Sequence, residues 1–174
     1  MSSNLIHSDF IILRDLIYEH CKFKISELMM EKESSEYGAC TFKLNSTKVI
    51  FRIAKITPAK TGQFVTLWKR QGNGPIQPYD IKDEIDIFIV SVRKGYHFGQ
   101  FIFSQSVLYK HGVISNNGTG GKRAIRVYPP WDMGLNKQAK KTQAWQLEYF
   151  LDVANNKEKI DHNRIKTLFT LLSK

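Results

Sequence analysis

Residues 121–132 combine side chains that bind phosphate with a ring that stacks on nucleobases. If this stretch forms a β-strand, alternation places Lys122, Arg126 and Tyr128 on one face. Arg123 then lies on the opposite face, among apolar residues that can pack on a core. Cations neutralise phosphates and exposed rings stack on bases, so the stretch predicts a nucleic-acid-binding strand. A charged edge strand that only prevents aggregation fits the same pattern.

Two consecutive prolines end this strand. Pro129 and Pro130 have no backbone N–H to donate, so a β-ladder cannot continue through them. Trp131 follows directly and is therefore held on a stiff corner. The sequence leaves two roles open for Trp131, which either stacks on a base or anchors the corner to the core.

A second basic and aromatic segment lies at residues 55–70, with a turn at Thr57-Pro58 and a strand pattern at Phe64–Trp68. Gln63, like Gln100 further along, is a candidate for reading a base edge. Trp68 in this segment is either an exposed residue that stacks on a base or a part of the core. The candidate binding residues here are Lys55, Lys60, Gln63, Trp68, Lys69 and Arg70.

Almost all of the net charge belongs to the middle of the chain. The 174 residues carry 26 Lys/Arg and 16 Asp/Glu, a net charge of +10. Residues 51–141 alone carry 15 Lys/Arg and 5 Asp/Glu, which is again +10. Such asymmetry favours a polyanion as partner, with nucleic acid the commonest one.

Several classes of function find no support in the sequence. The glycine-rich turn at Asn116–Gly121 has amides that can face an anion, but Arg123 stands where a P-loop requires Ser or Thr. The five histidines are scattered, so neither a metal site nor a cofactor is predicted. No apolar run has the length of a membrane span, and the N-terminus has no secretory pattern. Cys21 and Cys40 indicate reduced thiols in a cytoplasmic protein.

Helical spacing and capping residues predict four helices, beginning near Ser8, Ser104, Lys137 and Asp161. The first should end near His20 and the third near Val153. The third begins with Lys137, Lys140 and Lys141, which oppose the helix dipole and indicate either a partner or a role in solubility. Alternation and turn residues predict strands at Tyr37–Leu44, Lys48–Lys55, Phe64–Trp68, Ile85–Val92 and Phe98–Phe103.

These elements predict a single α+β domain over residues 1–174. Its centre should be a β-rich sheet or a partly open barrel, flanked by N-terminal and C-terminal helices. Ile85–Val92 is apolar on both faces, so it is expected to be a buried central strand.

Several long motifs in this sequence resemble the MepB family of small bacterial proteins. They are KITPAKTGQFVTLWKR, GPIQPYDIKDEIDIFIVSV, FGQFIFSQSVL and GKRAIRVYPPWD, followed by AKKTQAWQLEYFLD. The similarity extends from about Glu36 to Asp152. The resemblance implies a cytoplasmic α+β protein with nucleic-acid binding as the leading function, and it implies no catalytic residues. The central segment is also similar to the β-pseudobarrel of some restriction-enzyme DNA-binding domains.

Two other functions compete with nucleic-acid binding. A metal-dependent nuclease of the restriction type needs two acidic residues and a lysine around a divalent cation. The residue two positions before Lys55 is Ile53, and the one before Lys94 is Val92, so the expected acidic partner is missing from both strands. A basic regulator that binds an acidic protein is the remaining alternative. The carboxylates available to a nuclease are Glu36, Asp80, Asp83, Glu84 and Asp86.

Overall fold

A computed structural model describes residues 6–18, 21–153 and 160–171. The helices are α1 (Ser8–Leu13), α2 (Gln105–Lys110), α3 (Lys137–Leu147) and α4 (His162–Leu171). The strands are β1 (Ile25–Met30), β2 (Cys40–Leu44), β3 (Thr47–Ile53), β4 (Lys55–Thr57), β5 (Lys60–Thr66), β6 (Trp68–Lys69), β7 (Gln77–Pro78), β8 (Ile87–Lys94), β9 (His97–Ser104), β10 (Ala124–Val127) and β11 (Phe150–Asp152).

The largest sheet has six strands in the order β1-β2-β3-β8-β9-β11. Its pairs are antiparallel except β3 with β8, which run parallel. Residues Ile87–Val92 of β8 are all buried, so the prediction of a central strand covered on both faces is confirmed. The sheet is not closed into a barrel, and the predicted α+β fold with flanking helices is confirmed.

The two faces of the six-stranded sheet build two separate cores. Ile87 and Ile89 point to one face, where they pack with apolar side chains of α1 and α4. Phe88 and Val90 point to the other face and pack with β5, β10 and α2. The strands β10-β5-β4 form a second sheet on that side. The basic, aromatic segments therefore lie together on one side of the central sheet.

The first helix differs from its prediction at both ends. His7, rather than Ser8, caps it, because the His7 Nδ1 atom accepts a hydrogen bond from the Asp9 amide at 3.1 Å. After α1 the chain continues as a π-helical turn, Arg14–Tyr18. His20, the predicted helix end, lies outside the described residues. The predicted Ser104 cap of α2 is confirmed, since its hydroxyl accepts from the Val107 amide at 3.2 Å.

The helix predicted over residues 137–153 is wrong in its last six residues. The chain leaves α3 at Leu147 and forms β11, which pairs antiparallel with the edge of β9. The Phe150 ring occupies the space that a side chain would need at Gly99 on β9. An open sheet edge with a glycine at the right register decides the conformation of this segment, and local helix propensity does not reveal it.

A buried ion pair lies within the six-stranded sheet. Arg52 on β3 is only 1% exposed and donates to the Glu31 carboxylate at 2.9 Å and to the Tyr79 hydroxyl at 3.1 Å. It also donates to the Phe51 carbonyl. Burial raises the pKa of Tyr79 to about 12, although Arg52 opposes that change. A charge placed this deep depends on its carboxylate partner.

We expect Glu31→Met to reduce the free energy of unfolding by about 3 kcal/mol, because it leaves the Arg52 charge buried without its partner. Urea unfolding measures this change. The matched control is Glu27→Met, which breaks the more exposed Glu27–Lys43 pair and should cost less than about 1 kcal/mol. The double variant Glu31→Met, Arg52→Met should recover most of the loss. Equal effects of the two single variants would contradict this role of the buried pair.

Candidate nucleic-acid interface

A cleft of about 620 Å³ lies between β10 and α3. Lys122, Arg126 and Tyr128 all line it, so the predicted cationic and aromatic face of this segment is confirmed. Val127 points away from the cleft and is fully buried in the core. Arg123 differs from its prediction, because β10 begins only at the next residue and Arg123 is exposed rather than turned to the core.

Four cations from three segments of the chain line this cleft, namely Lys60, Lys122, Arg126 and Lys141. Its lining contains no Asp or Glu. Among the described residues, no carboxylate lies within 4 Å of any of these four cationic groups. The four positive charges repel one another, so an anion is the ligand that this cleft favours.

Neutral acceptors hold Arg126 in place. Its guanidinium donates to the Thr57 hydroxyl at 2.7 Å and to the Gly62 carbonyl at 3.3 Å. These bonds orient the side chain but do not neutralise it. Gly62 has a φ of +83°, and the Tyr128 ring lies where its side chain would be. Both the positive φ and the close approach of the ring require glycine at this position.

Aromatic rings form the remaining part of the cleft surface. Phe64 and Tyr128 lie on the side of the three-stranded sheet, while Trp145 lies on α3. His111, just after α2, stacks on Trp145 with 3.9 Å between ring centroids and 7° between ring planes. Burial lowers the pKa of His111, and nearby Lys110 lowers it further, so the ring is neutral at pH 7.

Side-chain amides of α3 fasten the helix to the edge of β10. The Gln146 Nε2 atom donates to the Arg126 carbonyl at 2.9 Å, and its Oε1 atom accepts from the Tyr128 amide at 2.8 Å. Gln146 thus takes the place that a neighbouring strand would have. Gln143 donates to the Pro129 carbonyl at 2.9 Å, one turn earlier on the helix. The two glutamines keep the wall of the cleft against its floor.

We expect Gln146→Leu to reduce the free energy of unfolding by about 1–3 kcal/mol, because it leaves two backbone groups of β10 without a partner. Denaturant unfolding followed by circular dichroism measures this change. Gln138→Leu is the control, since Gln138 also lies on α3 and lines the cleft but is exposed. A Gln146→Leu variant as stable as the control would show that these hydrogen bonds do not hold the helix.

The Asp80 carboxylate ties together the loops that precede Lys122. It accepts from the Gly118 amide at 2.9 Å, from the Ser115 hydroxyl at 2.7 Å and from the Lys82 amide at 3.1 Å. These hydrogen bonds, first among them that from Gly118, lower its pKa to about 2. The Gly118 amide in the glycine-rich turn, predicted as a possible anion contact, therefore serves a carboxylate of the chain itself.

The stability of the protein should fall with pH through the titration of Asp80. Its pKa is lower in the folded chain than in the unfolded chain, so its contribution is present above about pH 4 and lost as the pH falls toward 2. We expect Asp80→Asn to flatten the pH dependence of Tm in this window. Thermal unfolding between pH 2 and 7 measures it, with the exposed Asp15→Asn as control. Parallel curves for wild type and Asp80→Asn would contradict the assignment.

Three of the predicted cations lie outside the cleft and have carboxylate partners. Lys55 pairs with Glu36 at 2.9 Å and lies over the Tyr37 ring. Arg70 pairs with Glu33 at 3.0 Å. Lys69 in β6 pairs with Asp83. These three residues are Lys55, Lys69 and Arg70, and their part in binding stays a prediction.

The two glutamines considered for reading base edges both lie in the interior of the protein. Gln63 is 1% exposed and donates to the Arg93 carbonyl at 3.2 Å, while Gln100 is fully buried and accepts from the Tyr18 hydroxyl. Both lie on strands where they face the interior. Their sequence context does not reveal this, because a buried amide with a backbone partner and an exposed amide have the same local pattern.

The two predicted tryptophans lie outside the cleft. Trp68 is half-buried and the Arg70 guanidinium lies 5.6 Å from its ring. Trp131 stacks on His97 with 4.9 Å between ring centroids, and the Phe150 ring lies against it edge-on at 5.7 Å. Of the two roles left open for Trp131, the packing therefore supports anchoring of the Pro-Pro corner to the core.

His111, Lys141 and Trp145 line the cleft but were absent from the predicted set. The unfavourable position of Lys141 near the start of a helix was the available signal for that residue. His111 and Trp145 meet only in the fold, because 34 positions separate them in the sequence. Trp145 packs on the central sheet through Phe103.

The carboxylates considered for a nuclease each have a local role. Asp83 accepts from the Asp80 amide and pairs with a lysine of β6. Asp86 accepts from the Lys48 amide at 2.8 Å, and Glu84 lies 3.7 Å from the Lys48 ammonium. In the described part of the chain, no three His, Cys, Asp or Glu side chains are grouped so that they could hold a metal ion.

A family model described as MepB-like matches residues 31–152, a range that contains the whole cleft. This chain belongs to the MepB-like family. A crystal structure of MepB is similar to the MepB-like fold described here, with a TM-score of 0.74 and 34% sequence identity. The similarity covers 86% of this chain and 99% of the MepB chain.

A search among curated proteins finds no match to this MepB-like chain. Within residues 6–18, 21–153 and 160–171, none of the helices has the length and apolar character needed to cross a membrane.

Proposed function

We propose that this MepB-like protein binds nucleic acid, most readily DNA, through the cleft between β10 and α3. The observation that supports it is the convergence of Lys60, Lys122, Arg126 and Lys141 without a carboxylate partner among the described residues. A phosphate backbone brings several negative charges to such a site and releases its counterions on binding.

The surroundings of the cleft extend this cationic character. Arg123 is exposed beside Lys122, and the exposed Lys137 and Lys140 lie on the first turns of α3. These positions allow a phosphate backbone to continue beyond the cleft on either side. The rings in the cleft provide surfaces that are indifferent to base identity, so binding should depend weakly on sequence.

The proposed location is the cytoplasm, where such a protein meets nucleic acid. Cys21 and Cys40 are both free thiols in the structure. Burial raises the pKa of Cys40 to about 12, which keeps this thiol protonated and unreactive. Free thiols are typical of proteins in a reducing compartment.

We expect Lys122→Gln with Lys141→Gln to weaken binding to mixed-sequence DNA at least tenfold at 50 mM salt, because two phosphate contacts are lost. The slope of log K against log salt should become shallower by about 1.4–1.8, the contribution of two contacts. Fluorescence anisotropy with labelled single- and double-stranded DNA measures both quantities.

The matched control is Lys24→Gln with Lys166→Gln, which removes the same charge outside the cleft. It should leave affinity within about twofold and change the slope little. If both double variants lose affinity equally, net charge rather than the cleft attracts the nucleic acid. If the Lys122, Lys141 variant keeps the wild-type affinity and a wild-type circular dichroism spectrum, the cleft is not the binding site.

A further inference from the structure

We propose that the cleft receives an unpaired nucleotide, whose base stacks on the His111 ring while its phosphates contact the surrounding cations. The preferred ligand is then a single strand of DNA or RNA rather than a duplex. This inference rests on the proposed function and adds to it the strand state of the ligand and the residue that holds the base.

The aromatic rings at this site form a series that begins at a buried ring in the core. Phe103 is fully buried and lies 5.4 Å from Trp145, measured between ring centroids. Trp145 in turn stacks on His111 at 3.9 Å and 7°. Trp145 is the only ring partner of His111 among the described residues. His111 is thus the outermost ring of the series, and a planar base can extend the stack from it.

The concave shape of the site selects against a duplex. Proteins that read paired DNA insert a protruding helix or β-ribbon into a groove about 12 Å wide. Here His111 and Trp145 line a cleft between α3 and β10. A paired base is stacked within its own helix and cannot enter such a cleft, whereas a strand without a partner can turn its base inward. The volume of about 620 Å³ is of the size that holds a small organic ligand such as a nucleotide.

Base and phosphate contacts lie in the same cavity. Lys122 and Lys141 line the cleft together with His111, so one nucleotide can contact the ring and the cations at once. The neutral His111 ring contributes stacking rather than charge at pH 7, because burial lowers its pKa. Replacement of the ring by another aromatic should therefore preserve binding, whereas its removal should not.

The test compares four labelled 12-mers by fluorescence anisotropy at one salt concentration. They are single-stranded DNA of mixed sequence, the same DNA as a blunt duplex, single-stranded RNA, and a DNA strand with abasic sites at its central positions. We expect the intact DNA strand to bind about tenfold more tightly than both the duplex and the abasic strand. Tight binding of RNA alone, with weak duplex binding, would also support an unpaired nucleotide and would identify RNA as its source.

Variants of His111 identify the ring. His111→Ala should weaken binding of the intact strand about tenfold and leave the duplex and abasic strands within twofold. His111→Phe should stay within about twofold of wild type on every ligand, which separates stacking from a loss of fold. Circular dichroism and Tm of both variants verify that the domain is intact.

The two proposals fail in different ways. If the duplex or the abasic strand binds as tightly as the better bound of the two intact single strands, or if His111→Ala does not weaken binding of that strand, the unpaired-base inference is overturned. The proposed function survives that result as long as Lys122→Gln with Lys141→Gln weakens all four ligands. If that lysine variant has no effect on any ligand, both proposals are overturned.

Discussion

The open edge of β10 needs a hydrogen-bond partner, and the side chain of Gln146 provides it. A strand edge without a partner leaves backbone groups unsatisfied, and in this fold a helix lies where a strand would otherwise pair. The side-chain amide of Gln146 donates to the Arg126 carbonyl and accepts from the Tyr128 backbone amide, so it holds α3 at a fixed distance from β10. The cleft is the space that this contact leaves between helix and strand, and its lining residues depend on the contact for their relative positions.

The cations of this protein divide into two sets with different roles. Outside the cleft, Lys55 and Arg70 have carboxylate partners, and the pairs link segments that are distant in sequence. Lys122 beside β10 and Lys141 on α3 both line the cleft, and no acidic residue in the described part of the chain lines it. Paired surface charges contribute little to stability and leave little net field. Unpaired like charges in a concave site concentrate the field, and it is this second set that an anion would meet.

Two buried polar residues hold together segments that are distant in the chain. Arg52 and Asp80 are both buried, and each holds together segments that are far apart in the chain. Such groups are expensive to bury unless they form hydrogen bonds, so these contacts favour one arrangement of the segments that they join. In the sequence these residues look like ordinary surface charges, and their structural role appears only when their partners are seen.

Local features of this protein follow from its sequence. Alternation showed that Lys122, Arg126 and Tyr128 share a face, the two prolines showed where the strand ends, and the apolar run of β8 showed a central strand. Each of these follows from the periodicity of a strand or the covalent geometry of proline, and neither depends on distant residues.

Which of these side chains meet depends on the folded arrangement of the chain. Glu33 and Arg70 pair across 37 positions, and His111 stacks on Trp145 across 34. The segment at Phe150 became a strand because a sheet edge was open to it. Lys60 and Gln63 lie three residues apart on β5, yet Gln63 is buried and Lys60 lines the cleft. Pairing, stacking and burial depend on distances between remote segments, and a local sequence pattern carries no information about those distances.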